Sequence, residues 1–160
     1  MSYDNLMQQV REAFASAARP ADDALVPHHC DECDTLRGDL RGRTPDELSD
    51  DWIERSFDQL VFMSDDAKRF YLPAYLRVAA RDPESTVAQF VLYSLSDEFR
   101  FQPSGGYTAA QRQALLDFLT FIEPQSDSNQ REYISKAREL WKLSPNHAME
   151  RTADRRTPHS

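Results

Sequence analysis

Apolar residues recur along this chain at intervals of three and four, the period of a single helix face. Leu6, Val10, Phe14 and Ala17 make the first such stripe and predict an amphipathic helix over Tyr3 to Ala18. Arg19-Pro20-Ala21-Asp22-Asp23 breaks it, because proline lacks an amide donor and disfavours helical angles in the residue before it. A short helix is predicted over Asp31 to Leu40, with Leu36 and Leu40 on one side, Gly38 weakening it and Gly42 ending it. Thr44-Pro45-Asp46-Glu47 combines a cap hydroxyl, a proline at the first helical position and a Glu able to bond back to the cap amide, which together signal a helix start. Ser49-Asp50-Asp51 opens a further segment through Leu60, with Trp52, Ile53, Phe57 and Leu60 turned inward.

Ser64-Asp65-Asp66 repeats the same start chemistry, and Ala67, Phe70, Tyr71, Ala74, Tyr75 and Val78 form a broad apolar face up to Arg81. Pro73 interrupts that face. It removes one hydrogen bond and crowds the carbonyl of Arg69, so a kink or break is expected there. Phe70, Tyr71 and Tyr75 are read as core. Asp82-Pro83-Glu84 supplies another cap and first-position proline ahead of Val87 to Leu95, whose low β-branched content favours a mostly buried helix over a strand. Phe99 to Gly106 reads as a loop. Thr108 then opens a helix with Leu115, Leu116, Phe118, Leu119 and Ile122 inside, stopped by Pro124. After a polar break at Ser126 to Asn129, Tyr133, Ile134, Ala137, Leu140 and Trp141 mark a last helix ended by Pro145.

The predicted fold is therefore all-α, a single compact domain of six to seven helices over residues 1–145. Residues 146–160 hold Arg151, Arg155 and Arg156 but almost nothing apolar to bury, and are expected to be a disordered tail. Composition changes little here: 40% hydrophobic and 29% charged residues are those of a globular chain. Charge does more. A formal net charge of −8 repels phosphate backbones and anionic lipids, which argues against nucleic acid as a partner. No apolar run approaches the ~20 residues needed to cross a bilayer, so no membrane role is expected and a cytoplasmic location follows by default.

Candidate chemistry concentrates in Pro27-His28-His29-Cys30-Asp31-Glu32-Cys33, which holds both cysteines and two of the four histidines. Thiolate and imidazole are preferred zinc ligands, and a Cys-x-x-Cys turn lets two sulfurs share one tetrahedral ion. Cys30 and Cys33 with His28 or His29 are thus the candidate zinc ligands, but a fourth ligand is not evident, because His147 and His159 lie in the tail region. Three ligands plus water would suit catalytic zinc, with Glu32 as base. The zinc deaminase pattern is excluded, since there is one cysteine pair and no His-x-Glu. A redox role ranks lower: a helix start favours thiolate, but two acidic residues separate the sulfurs and no strand precedes the motif as in thioredoxin-like folds. The plain alternative is two thiols packed as small apolar groups while neighbouring His and Asp cap the helix. Gly105-Gly106 lacks the spacing of a phosphate loop, and no Gly-x-Ser-x-Gly setting exists for a serine nucleophile.

His-His-Cys-Asp-Glu-Cys within Pro27 to Leu40, together with Phe70-Tyr71-Leu72-Pro73-Ala74-Tyr75-Leu76 within Asp66 to Arg81, resembles the hallmark stretches of a family of uncharacterised bacterial proteins. That resemblance implies that both stretches belong to one domain and carries no catalytic residue. The tail from Asn146 to Ser160 resembles peptides translated from recombination sites that flank integron gene cassettes, which implies read-through at a mobile element. The leading expectation for function is a non-enzymatic, cytosolic helical domain that binds a protein partner or itself, with or without zinc at the cluster. Two readings compete with it. One is a metal-dependent hydrolase-like enzyme using His28, His29, Cys30 and Cys33. The other is an acidic immunity- or inhibitor-type protein that covers a basic active site by electrostatic steering.

Overall fold

Helix starts in this chain are written into single side chains, and a computed structural model describing residues 1–142 shows each of them in use. There are seven α-helices and no strand among the described residues: α1 Tyr3–Phe14, α2 Asp31–Leu40, α3 Asp50–Arg55, α4 Asp65–Arg81, α5 Thr86–Leu95, α6 Ala109–Ile122 and α7 Ser128–Trp141. Each begins with a residue in extended conformation whose side chain accepts from the amide three positions on, satisfying a donor that the helix itself cannot. Ser2, Ser49, Ser64, Ser85, Thr108 and Asp127 do this with oxygen, at 2.8 to 3.2 Å. α2 does it with the sulfur of Cys30.

α4 is the hub. It packs against α1, α3, α5 and α6, while α1 also lies on α6, and α7 covers α5 and α6. The buried side chains form one contiguous cluster, with Tyr71, Leu72, Ala74, Tyr75 and Leu76 of α4 fully buried inside it. Each such large apolar side chain contributes about 1.5–3 kcal/mol on burial. The polar ends of the buried rings find partners: Tyr71 Oη donates to the carbonyl of Arg43 at 2.8 Å, Tyr75 Oη to that of Ser56 at 3.0 Å, and Trp141 Nε1 to that of Leu95 at 2.9 Å.

Several boundaries differ from the periodicity. α1 stops at Phe14 rather than Ala18, because past the core stripe Ala15 and Ser16 are exposed and add no buried contact. Thr44 and Glu47 form the expected capping box, yet it starts only a 3-10 turn at Pro45–Glu47, since Leu48 turns extended and is buried. α3 ends at Arg55, so Phe57 and Leu60 reach the core from outside it, Leu60 on a separate 3-10 turn at Gln59–Phe62. Pro83 does not open α5. Asp82 closes α4, Ser85 caps α5, and the buried Pro83 offers its carbonyl to Gln130 Nε2 at 2.8 Å. Pro73 does not break α4, which runs unbroken over 17 residues. A proline inside a helix costs about 3 kcal/mol, an amount that burial of the side chains flanking it on this helix offsets several times over. The expected disorder of residues 146–160 and the helix stop at Pro145 lie outside the described residues.

Candidate functional site

The Cys-x-x-Cys segment folds as the start of α2. Arg37, one turn from the end of that helix, reaches back so that Nη2 donates to the carbonyls of Val26 at 2.7 Å and His28 at 3.0 Å, while Nη1 meets Asp34 Oδ1 at 2.7 Å. The loop is thereby strapped to α2 through its backbone, and the side chains of His28 and His29 are left exposed. Cys30 is exposed, and its Sγ accepts the Cys33 amide at 3.2 Å. Cys33 is 2% exposed, on the same buried stripe as Leu36 and Leu40. Its thiol is pushed above the ordinary thiol range, first by its hydrogen bond to the Cys30 sulfur and then by burial, with Glu32 adding to the effect and Arg37 opposing it. Glu32 itself accepts from Gln59 Nε2 at 3.0 Å. Among the described residues, no three of the His, Cys, Asp and Glu side chains are gathered in a way that could hold a metal ion. The structure thus brings Cys30 and Cys33 together and leaves His28 and His29 on the surface beside them, while His147 and His159 lie outside the described residues.

A second feature lies where α5 gives way to its loop. Ser96, Asp97, Glu98 and Phe99 from this loop, Tyr93 from α5, and Tyr133, Lys136, Glu139 and Leu140 from α7 line an open groove of about 590 Å³. Tyr93 and Tyr133 meet edge to face at 5.5 Å, and the Arg100 guanidinium sits 4.7 Å from the centre of the Tyr93 ring. Phe99 stands at the lip, 86% exposed. The loop holding it is not slack. Lys68 Nζ donates to the Arg100 carbonyl at 2.8 Å, Arg69 Nη1 to that of Gly105 at 2.8 Å, and Arg112 Nη2 to that of Pro103 at 2.6 Å. Asp97 adds an Asx turn by accepting the Phe99 amide at 2.9 Å. Gly106 is required in this arrangement, because its φ of +94° suits glycine and a Cβ there would stand 2.8 Å from Arg69 Nη1. Burial lowers the pKa of both Lys68 and Arg112 from their ordinary values, with Asp65 at 4.0 Å opposing the shift of Lys68, and each of these desolvated cations bonds a loop carbonyl.

Residues 2–144 match the Family of unknown function (DUF6714). The chain belongs to this family. No curated protein and no solved structure matches it. In this DUF6714 chain the two features differ in what they can do chemically. The α2 start offers one solvent-facing sulfur backed by a buried one. The groove offers aromatic surface and a charged rim. Helical spacing assigns Tyr133 and Leu140 to the core beside Ile134, Ala137 and Trp141, but only the last three are buried. The signal for the groove was an excess on α5, which is apolar nearly throughout, with Phe99 following it in the loop.

Proposed function

We propose that this chain acts by binding another polypeptide, and that the groove between the end of α5 and α7 takes a cationic segment with an aromatic or aliphatic anchor. Exposure of Phe99 on a loop held by three cation–carbonyl bonds carries the reading. Burying such a ring is worth about 1.5–3 kcal/mol, and a slack loop would fold it inward. Restrained exposure beside two tyrosines is the arrangement of an interface anchor, since aromatic residues set in a pocket supply most of the binding energy of typical interfaces. Charge selects the partner. Asp97, Glu98 and Glu139 line the groove with Lys136; Arg100 pairs with Asp97 at 3.6 Å and Lys142 with Glu139 at 3.9 Å, so the acidic excess comes from Glu98 and from the chain's net charge of −8. That excess steers cationic segments toward the site and rejects acidic ones.

The test is an NMR titration of the isotopically labelled full chain with a synthetic peptide alternating Lys or Arg with Leu or Phe, and with its Glu-substituted counterpart. The basic peptide is expected to shift resonances in α5, its following loop and α7, to bind more weakly as salt is added, and to lose at least tenfold in affinity when Phe99→Ala is combined with Tyr133→Ala. Equal binding of the acidic peptide, or unchanged affinity in the double variant, would overturn the reading.

A further inference from the structure

We propose that Cys30 and Cys33 form a redox-active dithiol, in which Cys30 attacks a small cationic or neutral disulfide and Cys33 closes the intramolecular bond. The two sulfurs divide the work by position. Cys30 is exposed and can meet a solute; Cys33 is 2% exposed, within the core cluster and out of reach of a solute. Cys30 stands in extended conformation at the N-cap and Cys33 at the third position of α2, and a disulfide between them requires the β-carbons to come within about 3.5–4.5 Å, a closure made at the exposed N-cap. Contact already exists: the Cys33 amide donates to Cys30 Sγ at 3.2 Å. An amide aimed at Cys30 Sγ stabilises negative charge on it, both as it attacks and later if it is displaced by a reductant.

The exchange balances without a further reagent. The Cys30 thiolate attacks one sulfur of R–S–S–R, forming Cys30–S–S–R and releasing RS⁻. Cys33 gives up its proton, attacks the Cys30 sulfur, forms the Cys30–Cys33 bond and releases the second RS⁻. The two protons lost by the protein thiols are taken up by the two leaving thiolates, so the dithiol is oxidised by two electrons and one disulfide becomes two thiols. Charge around the site sets the class of disulfide. Asp31, Glu32 and Asp34 are exposed on the first turn of α2 and repel anionic molecules, while Arg37 is already engaged by Asp34. Acidic neighbours slow the attack by an anion without closing the site to a cation.

The experiment exposes the reduced full-length protein to cystamine, a cationic disulfide, and separately to glutathione disulfide, an anionic one, with mass spectrometry of intact protein. Wild-type protein is expected to lose two hydrogens and keep no adduct. Cys33→Ser, and Cys33→Ala should the buried hydroxyl disturb folding, is expected to hold one cysteamine on Cys30. Cys30→Ser is expected to stay unmodified until denatured. Cystamine should react at least tenfold faster than glutathione disulfide at low salt, with the gap narrowing as salt is added. Wild-type protein that stays a dithiol, or that keeps a stable adduct on Cys30, overturns the proposal. So does modification of folded Cys30→Ser at Cys33 at the wild-type rate.

Discussion

Cys30 caps α2 with sulfur where six other helices use oxygen, and this predicts an unusual ordering of variants. Sulfur is a weak acceptor, although its contact with the Cys33 amide at 3.2 Å is no longer than the serine caps at 3.1 to 3.2 Å. Replacing an oxygen cap by alanine costs about 0.5–2 kcal/mol, so Cys30→Ala should sit at the low end, near ~0.5 kcal/mol. The exposed setting of Cys30 adds no cavity to that figure. Cys30→Ser supplies the preferred acceptor at the same place and should stabilise the protein by about 0.5 kcal/mol. Asp31, Glu32 and Asp34 keep their favourable interaction with the helix dipole in all three proteins and cancel from the comparison. Urea unfolding in the presence of reductant measures both changes as midpoint shifts at constant slope. Thermal midpoints should separate serine from alanine by roughly 2–4 °C, since the two differ by about 1 kcal/mol in a chain of this size. The reasoning fails if the serine variant is no more stable than the alanine variant.

Other expectations follow from buried groups. Trp141 is 1% exposed, donates to the Leu95 carbonyl and packs edge-on against Tyr107 at 4.9 Å, so Trp141→Phe should lose about 2–3 kcal/mol in chemical denaturation. Burial raises the pKa of Tyr71, Tyr75 and Tyr107, so the unfolded chain deprotonates before the folded one. Their contribution to stability is intact below the ordinary tyrosine value near 10 and is lost as pH rises beyond it; Lys68 and Arg112, lowered by burial, act in the opposite sense. Tyrosinate absorbance should therefore show about half of the six tyrosines titrating only in a late step that coincides with unfolding by circular dichroism. Treatment with a chelator should leave the thermal midpoint in place, because the Cys33 sulfur is turned into the core; a fall of several degrees would restore the zinc reading of His28, His29, Cys30 and Cys33.

Residue order alone was enough for the all-α class, for most helix starts and for the core face of each long helix. These depend on interactions within four residues, such as the capping box of Thr108 and Gln111 or the stripe from Leu6 to Phe14, and short-range patterns carry that information intact. Tertiary contact decided what such patterns leave open. Burial around α4 outweighed the local penalty of Pro73, and the early loss of core contact ended α1 at Phe14. Which of two cysteines one turn apart faces solvent depends on where the core lies. The groove needed still more: Tyr93, Phe99 and Tyr133 come from three segments, and Phe99 is held outward by cations from α4 and α6, chain positions about 30 residues below it and 13 above. An excess of apolar residues can be counted along a chain, but whether it is buried or left facing water is settled only when separate helices compete for one limited interior.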